Sequence, residues 1–316
     1  MLSEGDVRSL LKMTEVVSAV ETCFRQQASA KAANSPRTRT AVAGSTLSAM
    51  HASLPYLGVA GVKCYLTSKK GTRFVFVLFR LRDAEPLAVM GADILGRFRT
   101  GAASAVATKL LYGQKEFHFA LCGSGRQAMT QVLAMSEVAF LESVNVWSPN
   151  GEHRRSLVRR LGRMGFASKE CRSPREALAG SQVASAITSS RDPFIKRDAV
   201  TSVMHLNLCG SNSPDRSEAS PDCIAEFQTV VVDDARQSRE ESGDLMIAAR
   251  KGKLSWDRVV ELKDVMAGQI PHLGKSLFKS NGVALEDVAV AYHVFRKASR
   301  SGDYRDRDVQ LGGAKN

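Results

Sequence analysis

The sequence predicts an α/β protein in which a doubly wound parallel sheet is joined to a discontinuous α+β domain with an antiparallel sheet. Three observations carry this. The apolar run 117–121 enters Gly123-Ser124-Gly125-Arg126-Gln127-Ala128 and leads on to a helical stretch over 129–140, a strand–turn–helix unit. From about residue 115 strands and helices alternate, with further strands expected at 144–147, 183–188, 203–208 and 229–232. Before residue 91 the pattern is that of an antiparallel meander, and the tail from Lys275 returns to it. The expected division is 1–112 with 270–316 for the discontinuous domain, and 113–269 for the parallel sheet.

The 316 residues suffice for two cores. With 44% hydrophobic and 24% charged residues the chain has a globular composition, and no uncharged apolar run is long enough to span a bilayer. The start, Met1-Leu2-Ser3-Glu4-Gly5-Asp6, is acidic and lacks a secretory apolar region, so a cytoplasmic location is expected. Six cysteines are scattered without a Cys-x-x-Cys pair, which fits a reducing compartment and predicts neither a metal site nor a disulfide framework. The net charge is +12, from 44 basic and 32 acidic residues. A nucleic-acid role is not expected, because clusters such as His153-Arg154-Arg155 and Arg159-Arg160 are short, and the 6% of aromatic residues do not interleave with them. The charge reads as a solvated basic surface that attracts anionic substrates.

Residues 3–30 read as two helices, with Ser3 and Thr14 as N-caps and Val16, Val17, Val20, Cys23 and Phe24 on the buried stripe. Residues 34–42 read as a strand whose alternation sets Arg37 and Arg39 on one face. Two roles fit them: an edge strand blunted by charge, which the spacing favours, or a guanidinium aimed at a carboxylate. In the next strand, 58–66, Lys63 sits in apolar company, where a lysine either snorkels outward or serves a function. Strands at 73–79 and 86–90 complete the meander around the turn Asp83-Ala84-Glu85-Pro86. A helix is expected over 93–111. Arg99 and Thr100 precede its small-residue run and are placed to meet an anion.

The turn after Cys122 has the form of a phosphate cradle. Gly123 permits the bend, Gly125 lets the backbone approach a pyrophosphate, and Ala128 is small enough for the helix to pack on the strand. Ser124, Arg126 and Gln127 complete the turn, and the helix start offers free N–H groups to phosphates. An acid after the second strand would bind a ribose 2′-hydroxyl. The loop Trp147-Ser148-Pro149-Asn150 has none, Ser148 stands near that place, and His153, Arg154 and Arg155 follow. This favours NADP(H) over NAD(H).

Together these motifs resemble the ornithine cyclodeaminase/mu-crystallin family from end to end. The matching pieces are Pro36-Arg37-Thr38-Arg39, Gly61-Val62-Lys63, Arg99-Thr100-Gly101-Ala102-Ala103, the Gly123–Ala128 turn, His205-Leu206-Asn207, Gly210-Ser211-Asn212, Asp233-Asp234, Glu241-Ser242-Gly243-Asp244, and Phe278-Lys279-Ser280 through Glu286-Asp287. The resemblance implies a Rossmann domain, a second domain made from both chain ends that carries a homodimer interface, and a site between the domains. It implies that a substrate carboxylate is held by Arg37 or Arg39, by Lys63 and by Arg99. It also implies that Thr100 touches the cofactor and that Thr188 and Ser189 pass beneath its nicotinamide.

Two positions depart from the cyclodeaminase pattern. Asn212 stands where an aspartate would handle the substrate's amino groups, and Ser48 stands where a glutamate precedes Met50 by two residues. Neither can act as a carboxylate base. With Lys63 and Asn212 as the catalytic positions, the expected reaction is reduction of a cyclic ketimine or imino acid by NAD(P)H, or the reverse oxidation of an amino acid. One alternative is a true ornithine cyclodeaminase with Asp215 supplying the missing acid. Another is a cofactor-binding protein without turnover. The histidines His51, His118, His272 and His293 lack metal-like spacing, and Glu241 and Asp244 are expected to cap or orient a helix.

Overall fold

The computed structural model describes residues 1–269 and 274–302. The chain divides into two compact units, Met1–Arg99 together with the described residues from Val283 on, and Thr100–Gly282.

The first unit opens with α1 (Glu4–Leu10), whose capping box pairs Ser3 with Asp6 as its sequence predicts. In α2 (Met13–Ala28) the N-cap is Lys12 rather than Thr14, because the helix begins one residue before Thr14. Val16, Val17, Val20, Cys23 and Phe24 are buried along it. The strands β1 (Ala33–Asn34), β2 (Thr38–Val42), β3 (Ser45–Leu54), β4 (Val59–Ser68), β5 (Gly71–Arg80) and β6 (Pro86–Gly91) are all antiparallel, in the order β1-β3-β4-β5-β6 with β2 also on β3. The stretch 34–42 is therefore not one strand. Ser35 still donates its N–H to His51, but Pro36 has no N–H to give, so the ladder breaks and Arg37 falls in the gap. The interior strand β3 is one that periodicity does not announce, because small and polar residues fill most of it.

Helix α3 (Asp93–Leu111) has the expected bounds. Its first N–H groups, Asp93 and Ile94, donate to the Glu4 carboxylate at 2.8 and 2.9 Å.

The second unit is a parallel sheet built from β7 (Glu116–Cys122), β8 (Phe140–Trp147), β9 (Ser168–Glu170), β10 (Val183–Ala186), β11 (His205–Leu208), β12 (Thr229–Val232), β13 (Val259–Glu261) and β14 (Ser276–Lys279). Their order is β13-β12-β14-β11-β10-β7-β8-β9. The strands β10, β11, β12 and β14 are buried at every residue, as a sheet covered on both faces requires. The helix after the glycine turn, α4 (Ala128–Met135), stops short of the expected 129–140, and Phe140 already starts β8. The chain runs outward from β7 through β8 to β9 and then returns to place β10 on the other side of β7. The carboxyl ends of β7 and β10 thus flank the crevice where ligands bind in such sheets.

Two further helices of this unit bear on the site, α5 (Gly151–Arg163) after β8 and α6 (Gly243–Arg250) after β12. The chain leaves the second unit at Gly282/Val283 rather than near residue 270, because Ser276–Lys279 inserts between β11 and β12. It then forms α7 (Ala284–Ser301) in the first unit. This helix packs on α2, β3 and β4 and buries Leu285, Val288, Val290 and Val294 completely, each worth roughly 1.5–3 kcal/mol. No described helix is long and apolar enough to cross a membrane.

Candidate functional site

The candidate residues fall into two groups, one in each unit. In the first unit, the register Met50↔Lys63↔Phe76 sets Lys63 on the inner face of the antiparallel sheet, where all three are buried. Lys63 Nζ is 2.9 Å from Asp287 Oδ1, and it lies 5.5 Å over the Phe74 ring. Arg99 reaches the same carboxylate through Nε at 3.3 Å and Glu286 Oε2 through Nη1 at 2.9 Å. Gly96 on α3 faces the ammonium, and a Cβ there would lie 2.9 Å from Lys63 Nζ.

Arg37 is buried and close enough to act electrostatically on both Lys63 and Asp287. Arg39 is exposed on β2 opposite Ser48. The structure thus brings Arg37, Lys63 and Arg99 together and leaves Arg39 exposed. Their setting is three cations against two carboxylates, a surplus of one positive charge among these five groups. Burial lowers the Lys63 pKa, the Arg99 and Arg37 charges add to this, and Asp287 opposes it. For Asp287, burial raises the pKa, but Lys63 and Arg99 outweigh it and hold the carboxyl below the ordinary value of 3.8. Ser48 is buried on the same face of the sheet, two residues along β3 from Met50. It offers a buried hydroxyl on that face.

In the second unit, Gly123 has φ +125° and a Cβ there would lie 2.6 Å from Ile187 O, so only glycine fits. Gly125 differs. Its φ is not left-handed, and an added Cβ would meet nothing within 4 Å. The protein's own packing does not demand that glycine, while a ligand lying against the backbone would. Gln127 is the N-cap of α4 without a side-chain capping hydrogen bond, and Ala128 is fully buried. Ser124 Oγ donates to Ser148 Oγ at 2.8 Å, which links the turn to the end of β8. Arg154 donates to Ser148 O at 2.7 Å, and Asn150 caps α5 by accepting from His153 N. No acid follows β8 before Glu152. These features fit a dinucleotide phosphate and ribose.

Thr188 follows β10. Its N–H and Oγ1 both donate to Glu218 Oε1, at 2.7 and 2.8 Å, while Gly210 N–H, after β11, donates to Glu218 Oε2 at 2.9 Å. Ser189 accepts from Arg216 through its carbonyl. Asn212 is half-buried in the loop after β11. Asp215 is exposed, and the Ser213 hydroxyl bonded to it holds its carboxyl low.

Sequence pattern assigns no role to Glu218, and Lys279 stands out only within the Phe278-Lys279-Ser280 motif. Both are fully buried. Asp244 does not cap its own helix α6, for which Ser242 serves. Its Oδ1 instead accepts from Ser217 Oγ, Glu218 N and Ala219 N at 3.0, 2.6 and 3.0 Å, and its Oδ2 is 3.1 Å from Lys279 Nζ. Glu218 lies in the polar stretch Asp215-Arg216-Ser217-Glu218-Ala219-Ser220 and carries no signal of burial, whereas for Lys279 the available signal is a lysine ending the run Ser276-Leu277-Phe278, which demands a buried partner. The same signal marked Glu286 and Asp287. His205 is likewise interior, bonded to Ser276 and Asn207, His118 meets Ser143, His293 meets Glu15 and Lys297 joins them; His51 is exposed, and His272 lies outside the described residues. No metal-binding cluster occurs among the described residues.

A family model described as ornithine cyclodeaminase/mu-crystallin family matches residues 1–302. The chain belongs to this family. Among its relatives, alanine dehydrogenase of Archaeoglobus fulgidus is 30% identical over 310 residues, covering 94% of both chains. Iminosuccinate reductase of Paracoccus denitrificans is 27% identical, covering 98% of this chain and 99% of that one. The Thermococcus litoralis Δ1-pyrroline-2-carboxylate reductase structure, in complex with NADH and L-proline, superposes with a TM-score of 0.89 at 28% identity, covering 95% of this chain and 98% of that one. Within the family, the parallel sheet with its strand–turn–helix unit is the Rossmann part of this chain, and the antiparallel sheet is separate from it.

Proposed function

We propose that this protein is a nicotinamide-dependent reductase of cyclic ketimines or imino acids of the Δ1-pyrroline-2-carboxylate type, able to run the reverse oxidation of an amino acid. The observation that carries this is the convergence of the buried cations Arg37, Lys63 and Arg99 on one face of the antiparallel sheet that also buries the Ser48 hydroxyl; in the sequence, Ser48 and Asn212 stand where a cyclodeaminase would have carboxylates. Relatives that reduce imino acids and a structural neighbour holding NADH and proline support it.

In this reading Arg37, Lys63 and Arg99 bind the substrate carboxylate, with charge-assisted bonds to a planar acid. Asp287 keeps Lys63 and Arg99 charged and aimed. Lys63 also stabilises charge near the imine. The imine nitrogen enters already protonated, so no general acid is required. The Gly123–Ala128 turn, Ser148, Thr100, Thr188 and Ser189 hold the dinucleotide, which supplies hydride when bound. The missing acid at Ser148 and the neighbouring His153, Arg154 and Arg155 favour NADP(H) over NAD(H). The functional form is a homodimer, and the active protein works in the cytoplasm on a small amino or imino acid.

The test is to supply the purified protein with NADPH or NADH and a panel of cyclic imines with ring carboxylates, following loss of reduced nicotinamide absorbance. Parallel incubation with ornithine and NAD measures ammonia. Turnover of an imine without ammonia release supports the reading. Ammonia release from ornithine establishes the cyclodeaminase instead, and tight coenzyme binding without turnover establishes a binding protein.

A further inference from the structure

Two strand-end loops of the parallel sheet meet at one buried carboxylate. Glu218 accepts two hydrogen bonds from Thr188 through Oε1 and one from Gly210 through Oε2. The loops after β10 and β11 are so close that a Cβ on Gly210 would lie 2.2 Å from Thr188 O and 2.3 Å from Glu218 Oε1. The Gly123 turn packs on the same β10 loop at Ile187. Glu218 is itself held through its backbone N–H by Asp244, and Lys279 bridges Asp244 to Ser211 O at 2.7 Å. A buried ionic network gives little net stability compared with apolar packing of the same volume. What this one supplies is a fixed spacing between two loops beside the crevice.

We propose that Glu218 is a positioning residue: its ionised carboxylate sets the β10 and β11 loops for the nicotinamide half of the dinucleotide, and protonating it frees the β11 loop and weakens coenzyme binding. This rests on the reading of the chain as nicotinamide-dependent. Oε2 engages one donor against two on Oε1, so protonation there sacrifices least, and the added hydrogen competes with the Gly210 N–H for the same oxygen and weakens that bond.

Burial and the Asp244 carboxylate push the Glu218 carboxyl up to about 7, against Lys279 and the Thr188 bonds. The other titratable groups around it are Asp244 on α6, Lys279 on β14, Cys122 ending β7, and Cys209 after β11, with Asp233 after β12 acting on Cys209. Burial pushes both thiols up, Cys209 to about 12, so they stay neutral. Burial lowers the Lys279 pKa, but Asp244 and Glu218 outweigh it, so Lys279 stays charged. Affinity for the dinucleotide therefore rises as pH climbs through neutrality and is lost as pH falls.

The test is calorimetric titration of the full chain with NADPH and with NADH, from about pH 5.5 to about pH 8.5, for wild type, Glu218→Gln and Thr188→Val. The wild type is expected to lose roughly tenfold in affinity on acidification, the cost of a charge-assisted hydrogen bond. Glu218→Gln should bind weakly and without pH dependence, because one amide face must oppose a donor. Thr188→Val removes one donor from the carboxylate and should move the break to higher pH; it decides the matter if the glutamine variant does not fold. A profile shared by all three proteins overturns the proposal, as does full high-pH affinity in Glu218→Gln. A wild type that binds but shows a flat profile overturns this inference alone, whereas one that binds neither coenzyme overturns the proposed function with it.

Discussion

Lys63 Nζ and Asp287 Oδ1 are 2.9 Å apart although 224 positions separate them in sequence. Removing one partner of a buried pair leaves an uncompensated charge, so Asp287→Ala should cost about 3–5 kcal/mol of stability. Urea unfolding measures it. Asp287 is held below its ordinary value, so its contribution is present above the usual aspartate range and is lost as pH falls through the depressed folded value. Asp287→Asn should therefore flatten the acid limb of the stability curve, and an unchanged limb would remove Asp287 from the electrostatic account.

The two arginines of the Pro36-Arg37-Thr38-Arg39 stretch should separate in kinetics. Arg37 is buried near Lys63 and Asp287, whereas Arg39 is exposed. Arg37→Ala should raise KM for the imino acid by roughly 10- to 100-fold, the worth of one charge-assisted bond. Arg39→Ala should change it little. Equal losses in the two variants would return Arg39 to the carboxylate site.

The two turn glycines should also part company. Gly123→Ala forces a left-handed φ and a clash with Ile187 O, so thermal stability should fall. Gly125→Ala has room, so its stability should hold or rise by about 0.4–1 kcal/mol while dinucleotide affinity drops. Unchanged affinity in a folded Gly125→Ala protein would count against the turn as the phosphate cradle.

Ser148 sits at the end of β8, bonded to Ser124, with Arg154 on its carbonyl. An introduced acid would receive a ribose 2′-hydroxyl and repel a 2′-phosphate. Ser148→Asp should therefore shift the ratio of NADPH to NADH affinity toward NADH by roughly tenfold or more. A ratio that does not move places the ribose elsewhere.

Leu47 and Leu66 face each other across β3 and β4, both exposed, with exposed Val75 on β5 opposite Cys64. This is the sheet face turned away from Met50, Lys63 and Phe76. Such an apolar patch suits an isologous contact with a second copy. In the proposed homodimer, Leu47→Lys with Leu66→Lys should leave a monomer by sedimentation or light scattering. A dimer that survives both changes uses another surface.

Much of the fold could be read from local pattern. The bounds of α3, the strand–turn–helix at residues 116–135 and the meander of β4 to β6 follow from apolar spacing and from glycine and proline, which act on the chain within a few residues. The misreadings also have local causes. A helical pattern extended too far past Met135 hid the start of β8, and a single proline split the Arg37–Arg39 segment. Strand β14 resembled a return to the first unit because four buried residues carry too little pattern to assign a sheet.

The sequence by itself determined the fold class and the glycine turn, and narrowed the candidate cations to Lys63, Arg99 and either Arg37 or Arg39, because backbone periodicity and residue chemistry are local properties; which of the two arginines lies near Lys63 it left open. Only the tertiary structure decided which charges meet: Asp287 and Glu286 with Lys63 and Arg99, and Glu218 with Thr188, Gly210 and, through Asp244, Lys279. The physical reason is that a buried charge is stabilised by whatever lies within a few ångströms in space, and those partners come from chain segments tens to hundreds of residues away.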